Sequence, residues 1–318
     1  MDVLMIDDDK VRELLDLEAL LDALAQGFKA ISAGATSVPT RVTANVPSTG
    51  FLGAMPGWGD DIGLGAKLVS VFAVNEGTEI PSHQAIICLF DVNNGSPIAV
   101  MDGTYITAIR TAAAAALSAR ILAREDARTL AILGASVQGA AHLTMFPLVR
   151  DFEEIRIASR TFSHAEDLAA SNPRARAVQS FEQAVRGADV VALCTSSGEP
   201  VARYEWLSPG THVTSVGYAP PHGELDRTIA ERGSLFVEAP AAFQPPPGGC
   251  AELAGLDPSQ AAEIGEVLLG GRPGRVSAEE ITVYKSMGHA IEDIAAAQLV
   301  YKRARETETA RSSSTGQG

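Results

Sequence analysis

Cysteine is scarce in this chain, and basic charge is outnumbered. Cys88, Cys194 and Cys250 are the three cysteines among 318 residues. They are odd in number, scattered and without metal-ligand spacing. They read as reduced core or near-core thiols of a cytoplasmic protein, and no zinc or iron site is expected. Lys and Arg number 25 against 39 Asp and Glu, a net charge of -14. That argues against nucleic acid as a partner, because phosphate binding needs a basic surface. A long apolar run is missing too. None nears the about 18 residues of a membrane helix, and Arg110, Arg120 and Arg124 break the longest candidate. The opening MDVLMIDDDK is acidic and lacks the basic-then-apolar order of a secretory signal.

What is present is the composition of a globular protein, 46% hydrophobic and 20% charged. The length suits two domains or one large one. Leucines from Leu14 to Leu24 and Phe28 recur at three- and four-residue steps, which predicts a helix over 10–34. Short β-like runs follow between 38 and 101 (RVTANV, GFLGAM, LGAKLVSVF, QAIICLF, PIAVM), divided by Pro, Gly and Asn turns. They predict a mainly antiparallel sheet. TYITAIRTAAAAALSARILAR, 104–124, is a strong helix former, long enough at about 30 Å to bridge two domains.

After it the rhythm changes to strand, helix, strand. LAILG, IRIASR, VVALCT, HVTSVG and LFVEA are short apolar runs with helical stretches between the first three. The alternation argues for a parallel α/β sheet with right-handed crossovers. PAAFQPPPGGC is a Pro/Gly loop, and EIGEVLLG and ITVYKSMGHAIEDIAAAQLVYKRA read as two last helices. A disordered tail is expected over 303–318.

The first of those strands runs into Gly134-Ala135-Ser136-Val137-Gln138-Gly139. A dinucleotide-binding turn asks for glycine at the first, third and sixth positions, and the third here is Ser136. The position after a first strand and before a helix is the setting such a turn needs. Serine adds a Cβ where backbone normally approaches pyrophosphate, and a hydroxyl that can donate to it. At the end of the second strand, Ser159-Arg160-Thr161 stand where NAD-preferring domains place a carboxylate. A guanidinium flanked by hydroxyls suits a 2′-phosphate. Stacking of Arg160 on the adenine is the alternative and serves both cofactors.

Four stretches together resemble the ornithine cyclodeaminase/mu-crystallin family. They are PSHQAIICLFDVNNGSPIAVMDGTYITAIRTAAAAALSARILA (81–123), LAILGASVQGAAHL (130–143), VTSVGYAPPHGELD (213–226) and ITVYKSMGHAIEDIAAA (281–297). The resemblance implies an α/β fold: a Rossmann dinucleotide-binding domain, residues 120–290, plus an α+β substrate and dimerisation domain from both chain ends, 1–119 and 291–318. It implies a homodimer as well.

Lys67 shares a strand face with Val69 and Val71. A lysine there is buried at a cost or snorkels from an edge strand; the resemblance implies an active-site lysine. Arg41 and Arg110 are candidates to grip a carboxylate. For Arg110 a helix-surface role is the alternative, and the resemblance makes it an active-site residue touching substrate or cofactor. Met55 resembles a pocket wall, with a core methionine as the alternative. Cofactor contacts are implied for Ser82, Gly134, Ala135, Ser136, Val137, Gln138, Thr195, Ser196, Ser286, Met287 and Gly288. His83, beside Ser82, is given no proton-transfer role.

One departure from the family matters. Cyclodeaminases and alanine dehydrogenases carry an aspartate shortly after the glycine of the fourth strand, and here Tyr218 or Ala219 stands near that place. Glu224 and Asp226 follow but match positions beyond the site. The resulting expectation is an NAD(P)H-dependent reductase of small imino acids, cyclic ketimine carboxylates or α-imino acids, or the reverse dehydrogenation. NADP(H) is expected in preference to NAD(H). The alternatives are deaminating cyclisation of an ornithine-like substrate and a crystallin-like protein that binds NADPH without turnover.

Overall fold

A computed structural model describes residues 3–75, 77–217, 219, 221–246 and 248–315. The chain folds into two units. The first comprises Met1–Ala30, Gly34–Arg110 and His289–Gly318, and the second Ile31–Ala33 and Thr111–Gly288.

The first unit opens with β1 (Leu4–Ile6), α1 (Asp8–Leu14) and α2 (Leu17–Ser32). The helix expected over 10–34 is thus two. Asp16 accepts the N–H groups of Glu18 and Ala19, and a short polar side chain that captures backbone donors starts a new helix rather than continuing an old one. Then come β2 (Thr36–Ser37), β3 (Val42–Val46), β4 (Gly50–Gly59), β5 (Gly63–Phe72), β6 (His83–Phe90) and β7 (Pro97–Asp102), followed by α3 (Thr104–Leu122). Among the described residues the strands of this unit form a seven-stranded sheet, β1-β7-β6-β5-β4-β2 with β3 on β4. It is antiparallel except where β1 runs parallel to β7, as the alternating runs predict.

The second unit contains β8 (Thr129–Leu133), α4 (Val137–Met145), β9 (Glu154–Ala158), α5 (Phe162–Ala169), β10 (Ala175–Ala177), α6 (Phe181–Val185) and β11 (Val190–Leu193). It continues through β12 (His212–Ser215), α7 (Arg227–Arg232), β13 (Ser234–Val237), β14 (Ala262–Glu263), α8 (Ile264–Leu268) and β15 (Thr282–Lys285). Its eight strands among the described residues lie in the order β10-β9-β8-β11-β12-β15-β13-β14, and every pairing is parallel. The chain reverses direction across the sheet between β8 and β11, which is where a doubly wound sheet binds its ligand. The unit is Rossmann-like. A last helix, α9 (Ala290–Thr315), returns to the first unit. Among the described residues no helix is long and apolar enough to cross a membrane.

Three differences from the sequence-based expectations have physical causes. ITVYKSM is not helical: Thr282–Lys285 is β15, between β12 and β13. A four-residue strand buried on both faces shows no alternation, and its apolar run passes for part of a helix. The tail expected to be disordered from 303 continues α9 to Thr315. KRARE, 302–306, is made of good helix formers, and Arg303 pairs with Asp16 at 2.9 Å. The boundaries between the units fall at Arg110/Thr111 and Gly288/His289, earlier than the expected 119/120 and 290/291. Ala112–Ala116 are fully buried, so the alanine run packs as core and does not serve as an exposed link.

Candidate functional site

In the first unit the strand register builds one continuous row across the inner face of the sheet. Ile6, Met101, Ile87, Lys67 and Met55 stand side by side on β1, β7, β6, β5 and β4. All five are buried, Lys67 at 2% exposure. A lysine in an apolar row needs a counterion, since an isolated buried ammonium is prohibitively costly. Asp293, on the first turn of α9, supplies one: Nζ lies 2.7 Å from Oδ2. The other oxygen, Oδ1, accepts from Arg110 Nε at 2.9 Å, and Arg110 Nη1 donates to Glu292 at 3.2 Å. Two cations and two carboxylates therefore alternate in a buried chain.

The electrostatics follow from burial and pairing. Burial drives the Lys67 ammonium down to about 8, with Asp293 opposing the shift and Arg110 adding to it. Burial alone raises Asp293, but Arg110 and Lys67 outweigh it and hold the carboxyl below the usual range. The start of α9 suits both acids, because the positive end of a helix dipole favours carboxylates. Glu292 also reaches back to the N–H of His289 at 2.6 Å, half of a capping box. Arg41 is half-buried and immediately precedes β3, whose register sets Val42 opposite Ala54, one residue from the Met55–Lys67 pair. Ser82 precedes β6 and its hydroxyl meets His83 Nδ1 at 3.2 Å.

In the second unit the glycine turn sits at the β8 end of the reversal point. Gly134 has φ +116, and a Cβ there would lie 2.6 Å from the Cys194 carbonyl oxygen. A Cβ on Gly139 would overlap the carbonyl oxygen of Gly134. Both glycines are therefore obligatory. Ser136 is not strained: it is the N-cap of α4 with φ -98 and ψ -163, and its side chain makes no capping bond. Ala135 and Gln138 are half-buried, and Ser136 and Val137 are exposed at the open helix N-terminus. The middle position of the motif accepts a serine because its backbone is ordinary extended chain.

The Gly134 N–H donates to the Ala158 carbonyl at 2.9 Å, so Ser159, Arg160 and Thr161 follow directly beside the turn. Nearby arginines are occupied: Arg156 and Arg176 pair with Glu154, and Arg174 with Asp151. Arg160 is exposed and has no carboxylate partner among the described residues.

A buried carboxylate holds the loops that follow β11 and β12. Glu224, fully buried, accepts from Thr195 N at 2.6 Å and Thr195 Oγ1 at 2.7 Å. It also accepts from Ser215 Oγ at 3.0 Å and Gly217 N at 2.6 Å. Glu238 does the same for the turn after β15, accepting from Ser286 Oγ and from the N–H groups of Met287 at 3.0 Å and Gly288 at 3.2 Å. Lys285 pairs with Glu252 at 2.9 Å and donates to Ser215 and to the Gly217 carbonyl. Thr195 is half-buried and Ser196 exposed. Tyr218 lies outside the described residues; Ala219 is half-buried.

Sequence reasoning missed Glu292, Asp293 and Glu238, and it set Glu224 beyond the site. The signal for the first two was there: adjacent acids at the start of an otherwise apolar helix, GHAIEDIAAAQL. Nothing local marked Glu238 or Glu224.

Known proteins resemble this chain over most of its length. The family model described as "Ornithine cyclodeaminase/mu-crystallin family" matches residues 1–308. The ketimine reductase mu-crystallin of Mus musculus is 39% identical over 285 residues, covering 88% of this chain and 90% of that protein. A Thermococcus litoralis Δ1-pyrroline-2-carboxylate reductase, solved with NADH and L-proline, superposes with TM-score 0.90 at 29% identity, over 96% of this chain and 98% of the other. An archaeal alanine dehydrogenase dimer with bound NAD superposes with TM-score 0.86 at 29% identity, over 97% and 98% of the two chains. This chain belongs to the ornithine cyclodeaminase/mu-crystallin family.

Proposed function

We propose that this protein is a nicotinamide-dependent oxidoreductase that reduces the C=N bond of small imino acids, or oxidises the corresponding amino acids. Its relatives are named for ketimine, pyrroline-2-carboxylate and alanine chemistry. The observation that carries the reading is Lys67, a buried ammonium in an apolar row with its counterion 2.7 Å away. A proton donor so placed suits reduction of a preformed imine, which needs one proton on nitrogen and no stronger base.

The residues of the second unit fit a dinucleotide. Gly134 and Gly139 keep Cβ atoms out of the turn, and the open N-terminus of α4 presents N–H groups with the favourable dipole end. When bound, the reduced cofactor supplies the hydride to the imine carbon. Arg41 and Arg110 grip the substrate carboxylate. Lys67 delivers its ammonium proton to the nitrogen, completing the amine, and Met55 walls the pocket beside it. Arg160, with Ser159 and Thr161, receives a 2′-phosphate, so NADPH is preferred to NADH.

A homodimer belongs to the same proposal. The outward face of the first unit's sheet is apolar and exposed. Val42, Ala54, Leu68 and Ile86 form one cross-strand row, and Met5 is 72%, Val42 65% and Leu52 47% exposed. An antiparallel sheet with one solvated face carries polar residues there. An apolar one fits a second copy.

The test is a panel of cyclic and open-chain imino and amino acids, scored for NADPH oxidation and ammonia release. NADPH consumed in proportion to imine supports the proposal. Ammonia and a cyclic product without net cofactor change overturn it in favour of deaminating cyclisation.

A further inference from the structure

We propose that Asp293 is the positioning residue of this site, the fixed counterion that keeps Lys67 an ammonium and sets Arg110 beside it. The inference rests on the reading of Lys67 as the proton donor of an imine reductase.

The two adjacent acids of α9 are not equivalent. Glu292 divides itself between Arg110 and the N–H of His289, so part of its role is to cap its own helix. Asp293 has no such backbone tie among the described residues. Oδ2 lies against Lys67 of β5, and Oδ1 accepts from Arg110 of α3. The carboxylate is itself fully buried, where water cannot screen it and a lost partner is felt in full.

The charged groups that act on Lys67 come from two elements, Asp293 and Glu292 of α9 and Arg110 of α3. The flanking strands contribute none, since the register neighbours are Met55 and Ile87. Of these groups Asp293 alone touches Nζ among the described residues. Burial and Arg110 both favour neutral Lys67; Asp293 opposes them most strongly, with a smaller contribution from Glu292. Without its charge the amine is neutral near pH 7 and has no proton to deliver. The same carboxylate holds the Nε edge of Arg110 and fixes the guanidinium plane. One acid thus links the proton donor to a carboxylate clamp.

Asp293→Asn keeps the shape and removes the charge. The expected result is at least a tenfold loss of imine-reduction kcat at pH 7 that recovers as the pH is lowered. The upper limb of the kcat–pH profile should move down by about one to three pKa units, the effect of one close opposite charge. Glu292→Gln leaves the Lys67 counterion in place and removes only a smaller electrostatic contribution, so it raises KM and moves the limb less than Asp293→Asn does. The direct readout is ¹⁵N-lysine NMR of the full chain. The lysines are only Lys10, Lys29, Lys67, Lys285 and Lys302, and Lys67→Met identifies the resonance.

Lys67 should titrate as an ammonium at neutral pH in the unmutated protein, and at lower pH in Asp293→Asn. Should that variant fail to fold, Asp293→Glu retains the charge and is expected to keep the Lys67 titration near its original pH. A Lys67 amine already neutral at pH 7 in the unmutated protein overturns the proposal. So does a titration unmoved in Asp293→Asn, which leaves the acid a structural role only. If no imine is reduced but Lys67 titrates as expected, the functional reading falls and the positioning role stands.

Discussion

At the scale of single residues, the proposed mechanism divides the chemistry between Lys67 for the proton and Arg160 for the cofactor. Lys67→Met removes the ammonium and leaves an apolar side chain of similar length in an apolar row. Turnover should fall by about 10²- to 10⁴-fold, the usual contribution of a general acid. The dissociation constant for NADPH should change less than about twofold, because the lysine belongs to the first unit's buried row and the glycine turn to the second unit. Steady-state kinetics beside fluorescence titration separate the two. Undiminished turnover removes Lys67 from the mechanism. Arg160 has no carboxylate to satisfy among the described residues, so its guanidinium is available to a ligand. One charge-assisted contact corresponds to about a ten- to hundredfold preference for NADPH. Arg160→Ala should abolish that preference and leave NADH binding nearly unchanged. Equal affinities in the unmutated protein refute the assignment.

At the scale of elements, the β8–α4 turn is governed by its first and last glycines. Ser136 occupies an extended N-cap that any residue adopts, so Ser136→Gly should alter cofactor affinity only slightly. Gly139→Ala places a methyl against the Gly134 carbonyl, and the turn must open to admit it. Loss of NADPH affinity by at least about tenfold is the expected result, a cost of 1–3 kcal/mol being usual for such overpacking. Isothermal titration on the two variants decides the matter; a tolerated alanine shows that the turn is looser than its contacts indicate. Glu224 works on the neighbouring loops. By taking four donors it rigidifies the chain after β11 and β12, so Thr195 and Gly217 are held before any ligand arrives.

For the whole molecule, assembly and acid sensitivity follow from what is exposed and what is buried. The apolar outer row of the first sheet predicts a dimer in light scattering. Leu52→Glu with Ile86→Glu, two charges on that face, should yield monomers; a monomeric unmutated chain rules out the proposed interface. Acid sensitivity comes from two buried histidines of the second unit. Burial lowers His142 to about 4 and His212 to about 3. Both are neutral in the folded chain, while the unfolded chain takes up protons near pH 6.5. Stability therefore declines as the pH falls through about 6.5, by up to about 1.4 kcal/mol per pH unit for each histidine. Calorimetry from pH 7 to 5 should show the midpoint falling, and His142→Gln should flatten the slope. An equal slope in the variant excludes that contribution.

Local pattern alone determined much of this protein. Alternation along β4 to β7, the glycine turn between β8 and α4, and the alanine-rich α3 are all written in stretches of ten to twenty residues, because turn chemistry and periodicity act over that range. The same patterns, with the family resemblance, placed Lys67, Arg110 and Arg160 among the candidates. What only the tertiary structure decided is who meets whom. Arg110 and Asp293 are 183 positions apart, and no spacing rule connects a strand lysine to the first turn of the last helix. β15 escaped for a related reason: buried on both faces between β12 and β13, it carries no alternation to announce a strand. Glu224 and Glu238 read as ordinary acids until the fold surrounds each with buried donors. Partnership between distant buried charges is set by packing, since in the chain itself each is a solvated residue with no partner at all.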